Sequence, residues 1–237
     1  MSFYPVPENR LFCTIPELKL RQIAGSVNLV TFNDGHVFHK AGEPVRTVLF
    51  PLKGVISILI SAGTDQQVEA LMVGREGIAG LPPFLGTDSI PWMVRAHTAG
   101  EAFVMDSAAF QDCLTGNPCL DSALRRYLQA VLVMLAQLAV CRGAHRIEQR
   151  CARWLLTMQD RLEASRFRLT QEFFARTLGV RRASISQAVG KLQELGAIQY
   201  DRGEFAIVER GRLEEFACPC YRLLRAELNR LFPEEAS

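Results

Sequence analysis

The sequence lacks what would anchor it in a lipid bilayer. Its longest apolar stretch, AVLVMLAQLAVC from Ala130 to Cys141, is interrupted by Gln137. That run is shorter than the roughly 20 residues a membrane span needs, so no membrane partner is expected. The opening residues, MSFYPVPENR, lack a basic patch followed by an apolar core. No secretory signal is therefore expected, and the cytoplasm is the expected compartment. A disulfide framework is also missing: the seven cysteines, Cys13, Cys113, Cys119, Cys141, Cys151, Cys218 and Cys220, are odd in number and scattered. Such usage fits reduced thiols. No Ser/His/Asp, Cys/His or phosphate-loop arrangement occurs, so no catalytic residue is nominated and no enzyme is expected. What remains is a chain of 237 residues, 49% hydrophobic and 22% charged, which reads as folded, with one large domain or two ordinary ones.

An excess of one charge sign is lacking overall, with a net charge of only +2, yet the charge is unevenly spread. Residues 1–141 carry 10 Lys/Arg against 12 Asp/Glu, and residues 192–237 carry 6 against 9. Between them, residues 142–191 carry 11 against 4. A local cationic excess of this kind is the electrostatic footprint of phosphate binding, although a solvated basic helix face would look the same.

From Val27 to Asp106 the chain reads as about seven short strands. The runs VNLVTF, HVFHK, RTVLF, GVISILIS, QVEALMV, WMVRAHT and EAFVMD are rich in β-branched and aromatic residues, with turn signals such as NDG, AGEP, LKG and AGTD between several of them. A small barrel or roll is expected. The glycine-rich segment Gly74 to Pro91 reads as a long loop with a helical turn, where a ligand would be held. Gly80, Leu81, Phe84 and Trp92 are its candidate effector residues. A long helix should follow LTGNP, beginning near Asp121. On it Leu124, Leu128, Val131, Leu135 and Leu138 recur at heptad spacing and call for a partner helix. Gly143 marks an expected break, and a second amphipathic helix should run from about His145 to Leu162 with Ile147, Cys151, Trp154, Leu155 and Met158 on one stripe.

The most specific signal is LTQEFFARTLGVRRASISQAVGKLQELGAI. It gives a short helix capped by Thr170, a turn at Leu178 to Val180 with Gly179 free to take a left-handed backbone, and a second helix at about 182–195. Ala175 leaves room for the second helix to cross the first, and Phe174, Leu178, Val180, Ile185 and Ala188 supply the apolar knobs. Ile185, Ala188, Val189 and Leu192 form the buried stripe of the second helix, so Arg182, Ala183, Ser186, Gln187 and Gly190 share its outer face. A face that is slim apart from an Arg and a Gln suits the DNA major groove. Candidate DNA contacts are Arg181, Arg182, Ser184, Ser186, Gln187 and Lys191, with Arg202 at the tip of a hairpin over AIQYDRGEFAIVE.

The order of roll, heptad helix, HRIEQRCARWLL and helix-turn-helix with wing closely resembles the Crp/Fnr superfamily of bacterial transcription regulators, from about Val27 to Glu209. The resemblance implies an α+β chain: a cupin-like, cyclic-nucleotide-binding-like β-roll sensor at 1–118, a dimerisation helix and hinge at 119–143, and a winged helix-turn-helix domain with a C-terminal helix at 144–237. It further implies a homodimer on a two-fold-related DNA site, a small-molecule or redox effector, and RNA polymerase as a candidate partner. The chain departs from the pattern in three places. Leu81 follows Gly80, and SIPWMV stands where cyclic-AMP-binding members carry an arginine run, so cyclic AMP is not expected. Only Cys13 lies where oxygen-sensing members hold an iron–sulfur cluster, so that cofactor is not expected either. Ala183 and Gln187 replace a Glu and an Arg of many members while Arg182 is retained, which should keep a guanine contact and change its neighbours.

Two constellations remain outside this reading. His36 and His39 could suggest a cupin-like metalloenzyme, but their spacing puts them on opposite faces of a strand. Cys218-Pro219-Cys220 offers two thiols, incomplete as a metal site unless both subunits or Cys13 contribute, so packing thiols are the expected role and no metal residue is nominated. A roll that senses a small molecule and acts through protein contacts is the other alternative.

Overall fold

The computed structural model describes residues 9–61, 63 and 67–233. The AGTD turn lies outside them apart from Gly63, as do the first eight residues of the N-terminal segment. The chain divides into two compact units. The first takes the residues up to Ile60, Ala70–Leu132 and Glu227 onward; the second takes Ser61–Glu69 and Val133–Ala226.

All seven expected runs form strands: β1 (Val27–Phe32), β2 (Val37–His39), β3 (Thr47–Lys53), β4 (Ile56–Ser61), β5 (Gln67–Val73), β6 (Met93–Ala96) and β7 (Gly100–Asp106). They make two sheets, ordered β1-β7-β3 and β2-β6-β4-β5. The first is antiparallel throughout, with Val30 opposite Ala102 and Leu49 opposite Val104. The LKG turn is possible because Gly54 has φ +81° and because a side chain there would stand 2.5 Å from the Ala99 carbonyl oxygen. The long loop carries its helical turn as a 3-10 segment, Pro82–Leu85. Three helices are not apparent from periodicity: α1 (Arg10–Cys13), α2 (Glu17–Ala24) and α3 (Ser107–Gly116). α1 brings Phe12 to 4.6 Å from Phe50 in the core of this unit.

The long helix α4 (Pro118–Ala144) starts three residues before the expected Asp121. By length and composition it could cross a membrane, because its apolar character extends beyond the run from Ala130 to Cys141. Its inner face, however, packs against protein through Leu120, Ala123, Leu124, Tyr127 and Val131. This redistributes the expected seam. Leu124 and Val131 are covered within the chain, Leu128 and Leu138 are half-buried, and Leu135 is exposed together with Leu132, a residue the heptad count leaves out. The helix also runs through Gly143. The break comes at His145 and Arg146, where Arg146 takes extended backbone ahead of α5 (Ile147–Leu162).

The second unit continues with β8 (Arg166–Arg168), α6 (Gln171–Leu178), α7 (Arg182–Glu194), β9 (Ile198–Asp201), β10 (Glu204–Ile207) and α8 (Arg210–Phe216); α9 (Cys220–Leu231) follows and ends in the first unit. The wing is three-stranded, in the order β8-β10-β9, and not a two-stranded hairpin. Its core is aromatic. Phe174 lies 4.8 Å from Trp154 and meets Phe205 edge-on at 5.8 Å, while Tyr200 is 4.6 Å from Phe205.

Candidate nucleic-acid interface

Local chemistry sets the two helices at their angle. Thr170 caps α6 by accepting a hydrogen bond from the Phe173 amide at 3.2 Å. At its other end Gly179 takes φ +66°, and the amides of Gly179 and Val180 return to the carbonyls of Arg176 and Ala175 at 3.0 Å each. The chain then enters α7, whose Ile185, Ala188, Val189 and Leu192 are all buried. Ala175 is buried as well, as a close helix crossing needs.

The opposite face of α7 is open. Arg181, Arg182, Ala183, Ser186, Gln187 and Lys191 are exposed and Ser184 is half-buried. The first turn of α7 holds no acidic residue, and Arg181 at the cap makes no side-chain capping bond, so the positive end of the helix dipole stays uncompensated. Among the described residues, Arg181 and Arg182 have no ion-pair or side-chain hydrogen-bond partner, which leaves both guanidinium groups available. Lys191 sits 5.5 Å from the Phe216 ring, which holds its stem along the domain.

The wing turns at Arg202 and Gly203, with φ +46° and +86°. Two consecutive left-handed residues match a primed hairpin turn and project Arg202 at the tip. β8 adds two cations that sequence periodicity did not flag, because a three-residue strand gives too little alternation. Arg168 is exposed, and Arg166 pairs with Glu204 at 3.5 Å. Arg166, Arg168 and Arg202 share a surface cleft of about 430 Å³ with Gln199 and Asp201.

Part of the basic excess is spent on structure. Arg150 donates to the Leu178 carbonyl at 3.0 Å and so closes the end of α6, and Arg142 donates to the Glu69 carbonyl at 2.6 Å. Arg161 donates to the Thr157 carbonyl at 3.2 Å, and Arg176 pairs with Glu172 at 3.6 Å. The cations left for a phosphate backbone are fewer than composition suggests, and most of them stand on α7 and the wing.

Among the effector candidates, Leu81 and Phe84 lie in one 3-10 turn, where the Phe84 amide donates to the Leu81 carbonyl at 2.9 Å. Gly80 has φ +89°, and a side chain there would meet the Thr47 carbonyl oxygen at 2.8 Å. Phe84 lines a groove of about 510 Å³ with Leu85, Leu114, Asp121, Arg125 and Leu128, a set that does not contain Gly80, Leu81 or Trp92. His36 is exposed while His39 is buried, and burial lowers the pKa of His39. Cys218 and Cys220 lie beside Cys141 and His145.

Residues 149–216 match the Crp-like helix-turn-helix domain family. Comparison of the sequence with curated proteins gives no match. Among solved structures, the chain is similar to FixK2 from Bradyrhizobium japonicum, with a TM-score of 0.68 at 15% identity over 81% of this chain and 98% of that one. It is similar to the c-di-GMP responsive global regulator CLP of Xanthomonas campestris, with a TM-score of 0.67 at 17% identity over 81% and 99%. A CRP-family transcriptional regulator from Thermus thermophilus gives a TM-score of 0.66 at 17% identity over 79% and 96%. The chain therefore shares the fold of these solved structures, and its residues 149–216 match the Crp-like helix-turn-helix domain family.

Proposed function

We propose that this protein is a sequence-specific transcription regulator that binds double-stranded DNA as a homodimer, reading each half-site with α7 and clamping the backbone with the wing. The observation that carries the reading is the open first turn of α7, where two arginines with no partner among the described residues stand on a helix end with no acidic residue. Arg182 would donate two hydrogen bonds to a guanine edge and Gln187 would pair with adenine one turn further on. Ser184 and Ser186 would make shorter contacts on the same face. Arg181, Lys191 and Arg202 would meet phosphates. The uncovered side of α4, with Leu132 and Leu135 exposed, supports a second copy packed along it. Two such helices imply an inverted repeat with half-sites about 10 base pairs apart, centre to centre.

The signal would be sensed by the roll. Cyclic AMP is disfavoured, because Leu81 and SIPWMV supply no guanidinium for its phosphodiester and Glu76 is already committed to the Gly74 amide at 3.1 Å. In this reading the protein would act in the cytoplasm and would need no catalytic centre of its own.

Salt-dependent binding tests the division of labour. Arg168→Ala and Arg202→Ala should weaken binding to specific and random duplexes alike. Each should also flatten the log–log salt dependence by about 0.9 per lost phosphate contact in each subunit. A slope unchanged in both variants would remove the wing from the interface.

A further inference from the structure

Three thiols and an imidazole from distant parts of the chain converge in the second unit. Cys141 lies in the last turn of α4 and His145 directly follows that helix, while Cys218 lies between α8 and α9 and Cys220 is the first residue of α9. The four candidate ligand atoms all lie within 4.8 Å of one another. Cys141 Sγ is 3.5 Å from Cys218 Sγ, and Cys220 Sγ is 3.5 Å from His145 Nδ1. The cysteines are buried and His145 is half-buried. We propose that these residues form a Cys3His site for a single zinc ion.

Geometry favours one ion over the other uses of such a cluster. Bonds of about 2.3 Å to sulfur and about 2.0–2.1 Å to nitrogen put neighbouring ligand atoms of a tetrahedral zinc roughly 3.5–4 Å apart, so the four groups need only close slightly around the metal. An iron–sulfur cluster interposes its own irons and sulfides, and needs its cysteines spread more widely than this. A disulfide between Cys141 and Cys218 would use two of the groups and leave a buried thiol and an imidazole with no task. With four protein ligands the site has no open position, which makes it a structural centre and not a catalytic one.

The surroundings suit the charge. Zinc with three thiolates and a neutral imidazole carries a net −1. Arg153 is buried, and its guanidinium acts as a positive charge on both Cys141 and Cys218. Gln137 Nε2 donates to Cys220 Sγ at 3.1 Å, the kind of outer contact that orients a metal thiolate. The Cys-Pro-Cys segment is also held in place before any metal arrives. Arg210 at the start of α8 and Tyr221 beside Cys220 both bind Asp160 of α5, each at 2.8 Å. Loading would release thiol protons to solvent as zinc takes their place, with no change in oxidation state. The ion would tie the end of α4 to the junction of α8 and α9, so that the last turn of the long helix and the DNA-binding domain move together.

The test uses the full-length protein, purified under reducing conditions from zinc-supplied cells and desalted. Elemental analysis should return about one zinc per chain, and exchange with cobalt(II) should give thiolate-to-cobalt charge-transfer bands with the intense visible bands of a tetrahedral site. Cys220→Ser should lower retained metal by more than about tenfold, whereas Cys113→Ser, which lies outside the cluster, should retain it. Zinc-free wild type that stays folded and gives no cobalt–thiolate bands would overturn the proposal, as would recovery of a Cys141–Cys218 disulfide in place of the metal. The cobalt spectrum of the wild type decides the matter even if Cys220→Ser fails to fold.

Discussion

Phe174→Ala should destabilise the second unit by about 3–5 kcal/mol, enough to unfold a marginally stable domain. Phe174 is fully buried, with Trp154 of α5 on one side and Phe205 of the wing on the other. Truncation would leave a void at the point where α5, α6 and the wing meet, and the rigid rings around it could not collapse to fill it. The adjacent Phe173 is half-buried, so its replacement should cost much less. Urea denaturation followed by tryptophan fluorescence reads both variants, since Trp154 reports on this core. A loss below about 1 kcal/mol for Phe174→Ala would mean that the three elements are not packed through this ring.

The double substitution Leu132→Glu with Leu135→Glu should convert a dimer into a monomer. Both residues are exposed in the single chain, Leu132 at 61% and Leu135 at 41%, so charging them costs the monomer little. In a dimer the same charges would face their copies across an apolar seam, where burial is prohibitive. A monomer would engage one half-site at a time, and loss of the linked second contact should reduce affinity for the full site by about 10²–10⁴-fold. Sedimentation and gel shift measure the two effects. A variant that still dimerises would place the interface elsewhere. Leu124 would be a poor target, because its full burial in the chain means that a charge there would disrupt folding first.

How far the sequence is legible depends on how local each signal is. The strands β1 to β7 could be read because each lies in a run rich in β-branched and aromatic residues, with turn formers between several of the runs. Thr170, Ala175 and Gly179 could be read because a helix cap, a close crossing and a left-handed turn each require a particular residue type. Short elements escaped: α1 has 4 residues and β8 has 3, too few for any period to show. The exposed face of α4 departs from the heptad seam for a different reason. A heptad count treats every apolar position alike, while Leu124 and Val131 are claimed by the chain's own core and Leu132 is not. The cysteine cluster stayed hidden because its halves lie 77 residues apart between Cys141 and Cys218. The signals for it, a Cys and a His four residues apart at a helix end and a Cys-Pro-Cys turn, acquire meaning only once folding brings them together.

Selection of bound sequences from random duplex DNA, run in parallel with wild type and Arg182→Ala, tests the central claim most directly. The wild type should enrich an inverted repeat with half-sites about 10 base pairs apart. Arg182→Ala should keep that symmetry and spacing while losing preference for guanine at one position of each half-site, a change worth about 1–3 kcal/mol there. A wild-type selection without two-fold symmetry, or an Arg182→Ala consensus identical to the wild-type one, would contradict the assignment of α7 as the reading helix.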